Sequence, residues 1–232
     1  MTVCACALSL RATNPIATRF PRPIILLRLL LLAFLLPAAA AAQPDRYNYE
    51  LAVRIDSLAA EDLKWRTRLQ HLQQSGAADS SLRAFLQQQI RQTDAAHLPE
   101  LRRMVAEHGF PGVRTVGAQT SDNFWLLLQH ADGNPALQRQ ALQLMRQQVA
   151  AGNANAANFA FLQDRVLLNA GERQLFGTQV MLNADSTAFI PRPVADPSRL
   201  DARRAELGLP PMEEYLRSMQ QRYTGQLRKR ES

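Results

Sequence analysis

The sequence predicts a mainly α-helical protein, a helical bundle of about six to eight helices with one small β-hairpin near the C-terminus. Three observations carry that reading. Apolar residues recur at spacings of three and four through the segments before Gly171. Glycine, proline and asparagine interrupt this pattern at short intervals, where helices start and stop. After Gly171 the period changes and two short β-prone runs appear.

The first helix is predicted over about Arg46 to Gln74. Leu51, Ile55, Leu58, Asp62, Trp65, Leu69 and Leu72 alternate spacings of four and three, so they share one stripe. Asp62 is the one charged residue among them. An unpaired carboxylate on that stripe would cost several kcal/mol, so Asp62 needs a partner, with Arg66 and Arg165 as candidates. A glutamine-rich second helix follows from about Ser81 to Gln92. Pro99 suits the first turn of a third helix, which Gly109 and Pro111 end. Gly112 and Gly117 mark a loop before a fourth helix capped by Ser121 or Asp122. Its body, Phe124 to Leu128, is apolar on every face and belongs at the centre of the bundle. Asn134-Pro135 opens a fifth helix to about Ala150, and a sixth runs from about Asn155 to Asn169. Gln179–Leu182 and Ala188–Arg192 then form the hairpin, with prolines that restrict the second strand to an edge. Two short helices, about Pro197–Leu207 and Pro211–Tyr223, close the chain.

The first 42 residues read as a signal peptide. They hold Arg11, Arg19, Arg22 and Arg28 and no acid, then the apolar core Leu29–Leu36, Pro37 and the run Ala38–Ala42. The apolar stretch after Arg28 is shorter than the roughly 20 residues a spanning helix needs. Cleavage after Ala42 would leave residues 43–232 as a single mainly helical domain, periplasmic or extracellular, that meets the membrane only through its leader. An uncleaved anchor is the alternative. Without the four leader arginines the formal charge falls from +7 to +3, and Arg228, Lys229 and Arg230 at the tail account for that remainder. Nucleic-acid binding is therefore not expected, since no basic face carries interleaved aromatics. Cys4 and Cys6 both lie in the leader, so residues 43–232 have no thiol for a disulfide, a nucleophile or zinc.

Gln129-His130-Ala131-Asp132, then Asp164-Arg165-Val166, then Gln174-Leu175-Phe176-Gly177-Thr178-Gln179, resemble the signature blocks of a bacterial family defined as a domain of unknown function. The likeness extends to Asp62 and Arg66, to Val116-Gly117, and to Asp201, Arg203, Arg204, Gly208 and Leu209, covering about residues 50–222. Phe176 departs from the tyrosine frequent in that family, and Leu63 from a glutamine. The resemblance implies a mostly helical domain, often exported, and it implies neither a reaction nor a catalytic residue.

The chemistry-bearing residues each allow two readings. His130, at the end of the most apolar helix, is a general base or metal ligand, or else a structural histidine at a helix C-terminus. Asp164 orients His130 as a carboxylate holds a catalytic imidazole, or it ties down a neighbouring loop. Asp62 is a second site carboxylate, or half of a buried pair that sets helix register. Arg165 points about 100° away from Asp164 on the helix, so the two take different partners. Gln174, Thr178 and Gln179 contact a ligand, or they satisfy loop backbone around Gly177. No phosphate-loop, nucleophile-elbow, zinc-helix or calcium-loop pattern occurs, so no cofactor or metal is expected. Two functions stay open. One is an interaction module of the cell envelope for a small molecule or a protein; the other is a hydrolase-like enzyme with His130 as base and Asp164 or Asp62 as its orienter.

Overall fold

A computed structural model describes residues 46–185 and 187–231, with side chains to residue 223. The leader, Cys4, Cys6 and the cleavage point after Ala42 lie outside the described residues, as do the side chains of the basic tail. Among the described residues are eight α-helices: α1 Tyr49–Gln74, α2 Ser80–His108, α3 Val113–Val116, α4 Ala118–His130, α5 Pro135–Ala150, α6 Ala156–Asn169, α7 Leu200–Glu206 and α8 Met212–Glu231. Strands β1 (Val180–Leu182) and β2 (Phe189–Pro191) form one antiparallel hairpin between α6 and α7. The expected class, a mainly helical bundle with one C-terminal hairpin, is the class observed.

Short polar residues start the helices. Asn48, Asp79, Asn134 and Asn155 each accept a hydrogen bond from a first-turn backbone N–H of α1, α2, α5 and α6. The five-residue turn after α1 folds α2 back along it, stripe against stripe. α4 lies at the centre, touching α1, α2, α3, α5 and α6, with Phe124, Leu127 and Leu128 almost wholly buried. Its all-round apolar character follows from neighbours on every side.

The predicted second and third helices are one helix. α2 runs unbroken through Pro99, which the sequence reading placed in a first turn. Its core stripe explains why: Leu86, Ile90, Asp94, His97, Leu101 and Met104 keep the three-and-four spacing across the proline. Packing against α1 outweighs one lost backbone hydrogen bond, and Pro99 itself is exposed. Replacing Pro99 by alanine is expected to stabilise the protein by about 2 kcal/mol. The helix-interior difference between proline and alanine, ~3 kcal/mol, sets the upper bound. A thermal melt that fails to rise would show a local distortion already relieving the strain.

Other boundaries shift for similar reasons. Gly112 to Gly117 holds α3 rather than an open loop. The main chain there is pinned by Asn153, whose backbone O accepts from the Val113 N–H and whose Oδ1 accepts from the Arg114 N–H. A Cβ on Gly112 would lie 2.1 Å from the Asn153 side chain, so only glycine fits. α4 begins at Ala118, not beyond Ser121. Thr120 and Asn123 donate to Asp56 of α1, while Ser121 is turned into the core. The strands are shorter than predicted because Gln179 is engaged by Gln174. Pro191 ends β2 opposite Val180. α8 continues beyond the predicted end at Tyr223. No helix among the described residues is long and apolar enough to cross a membrane.

Candidate functional site

α1 carries Asp62 into the core, where it is 2% exposed. Two partners meet it. His130, the last residue of α4, brings Nδ1 to 2.8 Å from Asp62 Oδ2, and Arg66 donates from Nε to Oδ1 at 3.0 Å. The Arg66 guanidinium also reaches Asp94 of α2, with Nη2 2.5 Å from Oδ1. Burial alone would raise the Asp62 pKa, yet the hydrogen bond and charge of His130 and the charge of Arg66 hold it below the ordinary carboxylate range. Asp62 is thus an ionised acceptor, so the Nδ1 it contacts must carry the proton. The other ring nitrogen, Nε2, has no hydrogen-bond partner among the described residues; it accepts when the ring is neutral and donates when the ring carries the charge that helps hold Asp62 down.

Two cavities adjoin this cluster. The smaller, about 10 Å³, fits roughly one water and is lined by Asp62, Asp94, His97 and His130 among others. The larger, about 450 Å³, has walls from α1, α2, α6 and the loop after α4. Arg66, Arg91, Asp94, His130, Asp132 and Arg165 supply its charge, and Ala95, Leu98 and Ala131 its apolar surface. Its size lies in the range of small-molecule sites. Arg165 grips Asp132 through Nε, at 2.8 Å from Oδ1, and through Nη2 on Oδ2. Burial would raise Asp132, but Arg165, Gln138 and Asn169 hold its pKa down. Asp94 goes the other way: burial, with Asp62 nearby, pushes it up against the pull of Arg66.

These directions fix a pH response. Asp62 and Asp132 have depressed folded values, so their stabilisation is complete above the ordinary carboxylate range and is lost as pH falls through those values. Asp94 acts with opposite sign, contributing stability below the ordinary range that is lost as pH rises through its raised value. The two carboxylates with depressed values outnumber it. Unfolding midpoints are expected to drop between about pH 5 and about pH 2, and Asp62→Asn to flatten that drop. An identical acid profile in the variant would contradict the assignment.

The remaining predicted site residues gather elsewhere. Asp164, fully buried on α6, is not the carboxylate on His130. It accepts from the backbone N–H groups of Leu175, Phe176 and Thr178 and from Thr178 Oγ1, at 2.7 to 3.2 Å. Gln174 donates to the carbonyls of Gln179 and Arg192 and accepts from the Gln179 N–H. Gln179 Nε2 donates to Thr178 Oγ1. Buried Arg204 clamps the same loop, with Nη1 2.6 Å from the Phe176 carbonyl and Nε 2.7 Å from that of Pro210; it also stacks on Tyr215. Tyr215 donates its hydroxyl to the Thr178 carbonyl. Gly177 takes φ 68°, and a Cβ there would lie 2.9 Å from Met212 Sδ. Gln174, Thr178 and Gln179 line neither of the cavities beside His130.

Sequence reasoning missed Arg91, Asp94 and His97, and it gave Asp132 only as part of the His130 block, with no place in the site. Asp94 and His97 were readable as polar residues on the apolar stripe of α2, had that stripe been carried through Pro99. His97 pairs across to α1, its Nε2 3.2 Å from Glu61 Oε2. Asp132 and Arg91 carry no such signal.

Fold and site define a class: a helical protein with an aspartate-held histidine beside an arginine-rich cavity, joined to a loop module organised by a second buried carboxylate. The chain belongs to DUF6624, a family of unknown function, whose sequence pattern matches residues 57–228. No curated protein and no solved structure matches it. The family match takes in every residue of both polar clusters.

Proposed function

We propose that the chain is an exported interaction module of the cell envelope that holds a small molecule in the cavity beside His130. The observation that carries the reading is His130, oriented by Asp62 at 2.8 Å and with one ring nitrogen unpartnered, among the residues that line a space of about 450 Å³. A few fixed polar groups on a partly apolar wall suit selective binding. Export rests on the basic, apolar and alanine-rich leader, and the expected mature N-terminus is Gln43, which mass spectrometry of secreted material would check. For binding, a metabolite screen by thermal shift is expected to return compounds that raise the melting temperature. Filling the space by Ala95→Trp should abolish that rise. A response that survives this change would move the ligand elsewhere.

A second reading, hydrolysis with His130 as general base, is favoured by the same Asp62–His130 contact, which sets the tautomer a base requires. The cavity lining holds no serine, threonine or cysteine, so the base would act on water. Turnover of ester or phosphoester substrates, lost in His130→Gln, would establish it; equal turnover in that variant would remove His130 from the chemistry.

A further inference from the structure

The charges around the cavity are uneven in a specific way. Arg165 is matched by Asp132, and Arg66 is shared by two carboxylates, Asp62 and Asp94. Arg66 meets only one oxygen of Asp94, and the second has no hydrogen-bond donor among the described residues. On α2, one turn before Asp94, Arg91 lines the same cavity and makes no hydrogen bond or ion pair among the described residues. The cavity therefore offers one unpaired carboxylate oxygen and one unpaired cation, three residues apart on one helix. Ala95, Leu98 and Ala131 contribute apolar surface to the same cavity.

We propose that the ligand is a small zwitterion, a free α-amino acid with an apolar side chain. Its carboxylate lies on Arg91 and its ammonium on the second oxygen of Asp94. The ammonium supplies a donor to the carboxylate oxygen that lacks one, and the guanidinium presents a planar fork to the carboxylate. A simple anion would leave the second oxygen of Asp94 without a donor, and a simple cation would leave Arg91 without a partner; a molecule with both charges satisfies each end. The walls beside Ala95 and Leu98 take the side chain. This rests on the cavity-binding reading above and adds to it the identity of the ligand class.

The test is calorimetric titration of the full chain with L-leucine, N-acetyl-leucine, which lacks the ammonium, and leucinamide, which lacks the carboxylate. Leucine is expected to bind at least about tenfold more tightly than either derivative, the usual cost of leaving a charged partner unpaired. Arg91→Gln should weaken leucine about tenfold and leave leucinamide unchanged, while Asp94→Asn should weaken leucine and leave N-acetyl-leucine unchanged. That crossed pattern is one that mere loss of folding does not produce, and the wild-type comparison needs no variant. Equal affinity for all three, or a preference for one derivative, overturns the zwitterion while the cavity still binds. Silence from all three ligands overturns the zwitterion, and the cavity reading falls only if the wider metabolite screen is silent as well.

Discussion

Replacing Asp164 by alanine is expected to lower the unfolding free energy by about 4 kcal/mol, and the melting temperature by roughly 8–16 °C for a chain of this size. The carboxylate is completely buried and takes hydrogen bonds from three backbone N–H groups and one hydroxyl. Alanine leaves those donors facing a void, and each unsatisfied group costs about 1–3 kcal/mol, partly relieved if the loop relaxes. Arg204, 1% exposed, would lose one of its two nearby counter-charges and keep Asp201. Asp164→Asn separates shape from charge: it fills the space but turns an amide N–H₂ toward donors, and should recover less than half of the loss. Chemical denaturation of both variants provides the measurement. A loss below about 1 kcal/mol in Asp164→Ala would mean that Arg204, Tyr215 and Gln174 hold the loop without it.

The second large effect is expected at Asp62. Asp62→Ala should cost about 3 kcal/mol, because it strands a half-buried imidazole N–H and an arginine Nε in the core. The loss is smaller than at Asp164 because Arg66 keeps Asp94 and His130 keeps some contact with solvent. What distinguishes Asp62 is its effect on the site. With its acceptor gone, His130 can place its proton on either nitrogen, and Nε2 no longer has a fixed role. Ring ¹⁵N shifts of His130 are expected to move toward a mixed-tautomer pattern in Asp62→Ala, and ligand-induced stabilisation to fall with them. No comparable shift should follow Asp164→Ala, whose carboxylate serves a different loop. A His130 ring that keeps its wild-type shifts without Asp62 would show that the α4 terminus alone orients it.

The helices were legible where their signals are local. The α1 stripe, the Asn134-Pro135 start of α5 and the change of period after Gly171 each lie within one element. Asp62 stood out for the same reason, as a charge on an apolar stripe. α2 was misread because Pro99 is a strong local signal for a helix start, while the stripe that overrides it extends to both sides. That error hid Asp94 and His97. Within the blocks, neighbouring residues diverged: Asp164 turns to the 175–178 loop and Arg165 to Asp132. Helical geometry required the divergence but did not name the partners.

The chain's own periodicity and punctuation determined the class of fold, the order of the main helices, the place of the hairpin and the need for a partner at Asp62. Which partner it takes was decided only in three dimensions. His130 lies 68 positions from Asp62, and Arg91, Asp132 and Arg165 come from separate segments. Helix periodicity is set by backbone hydrogen bonds four residues apart and shows within a few turns of sequence. A cavity charge balance depends instead on which helix faces pack together, and that follows from summed burial over the entire core.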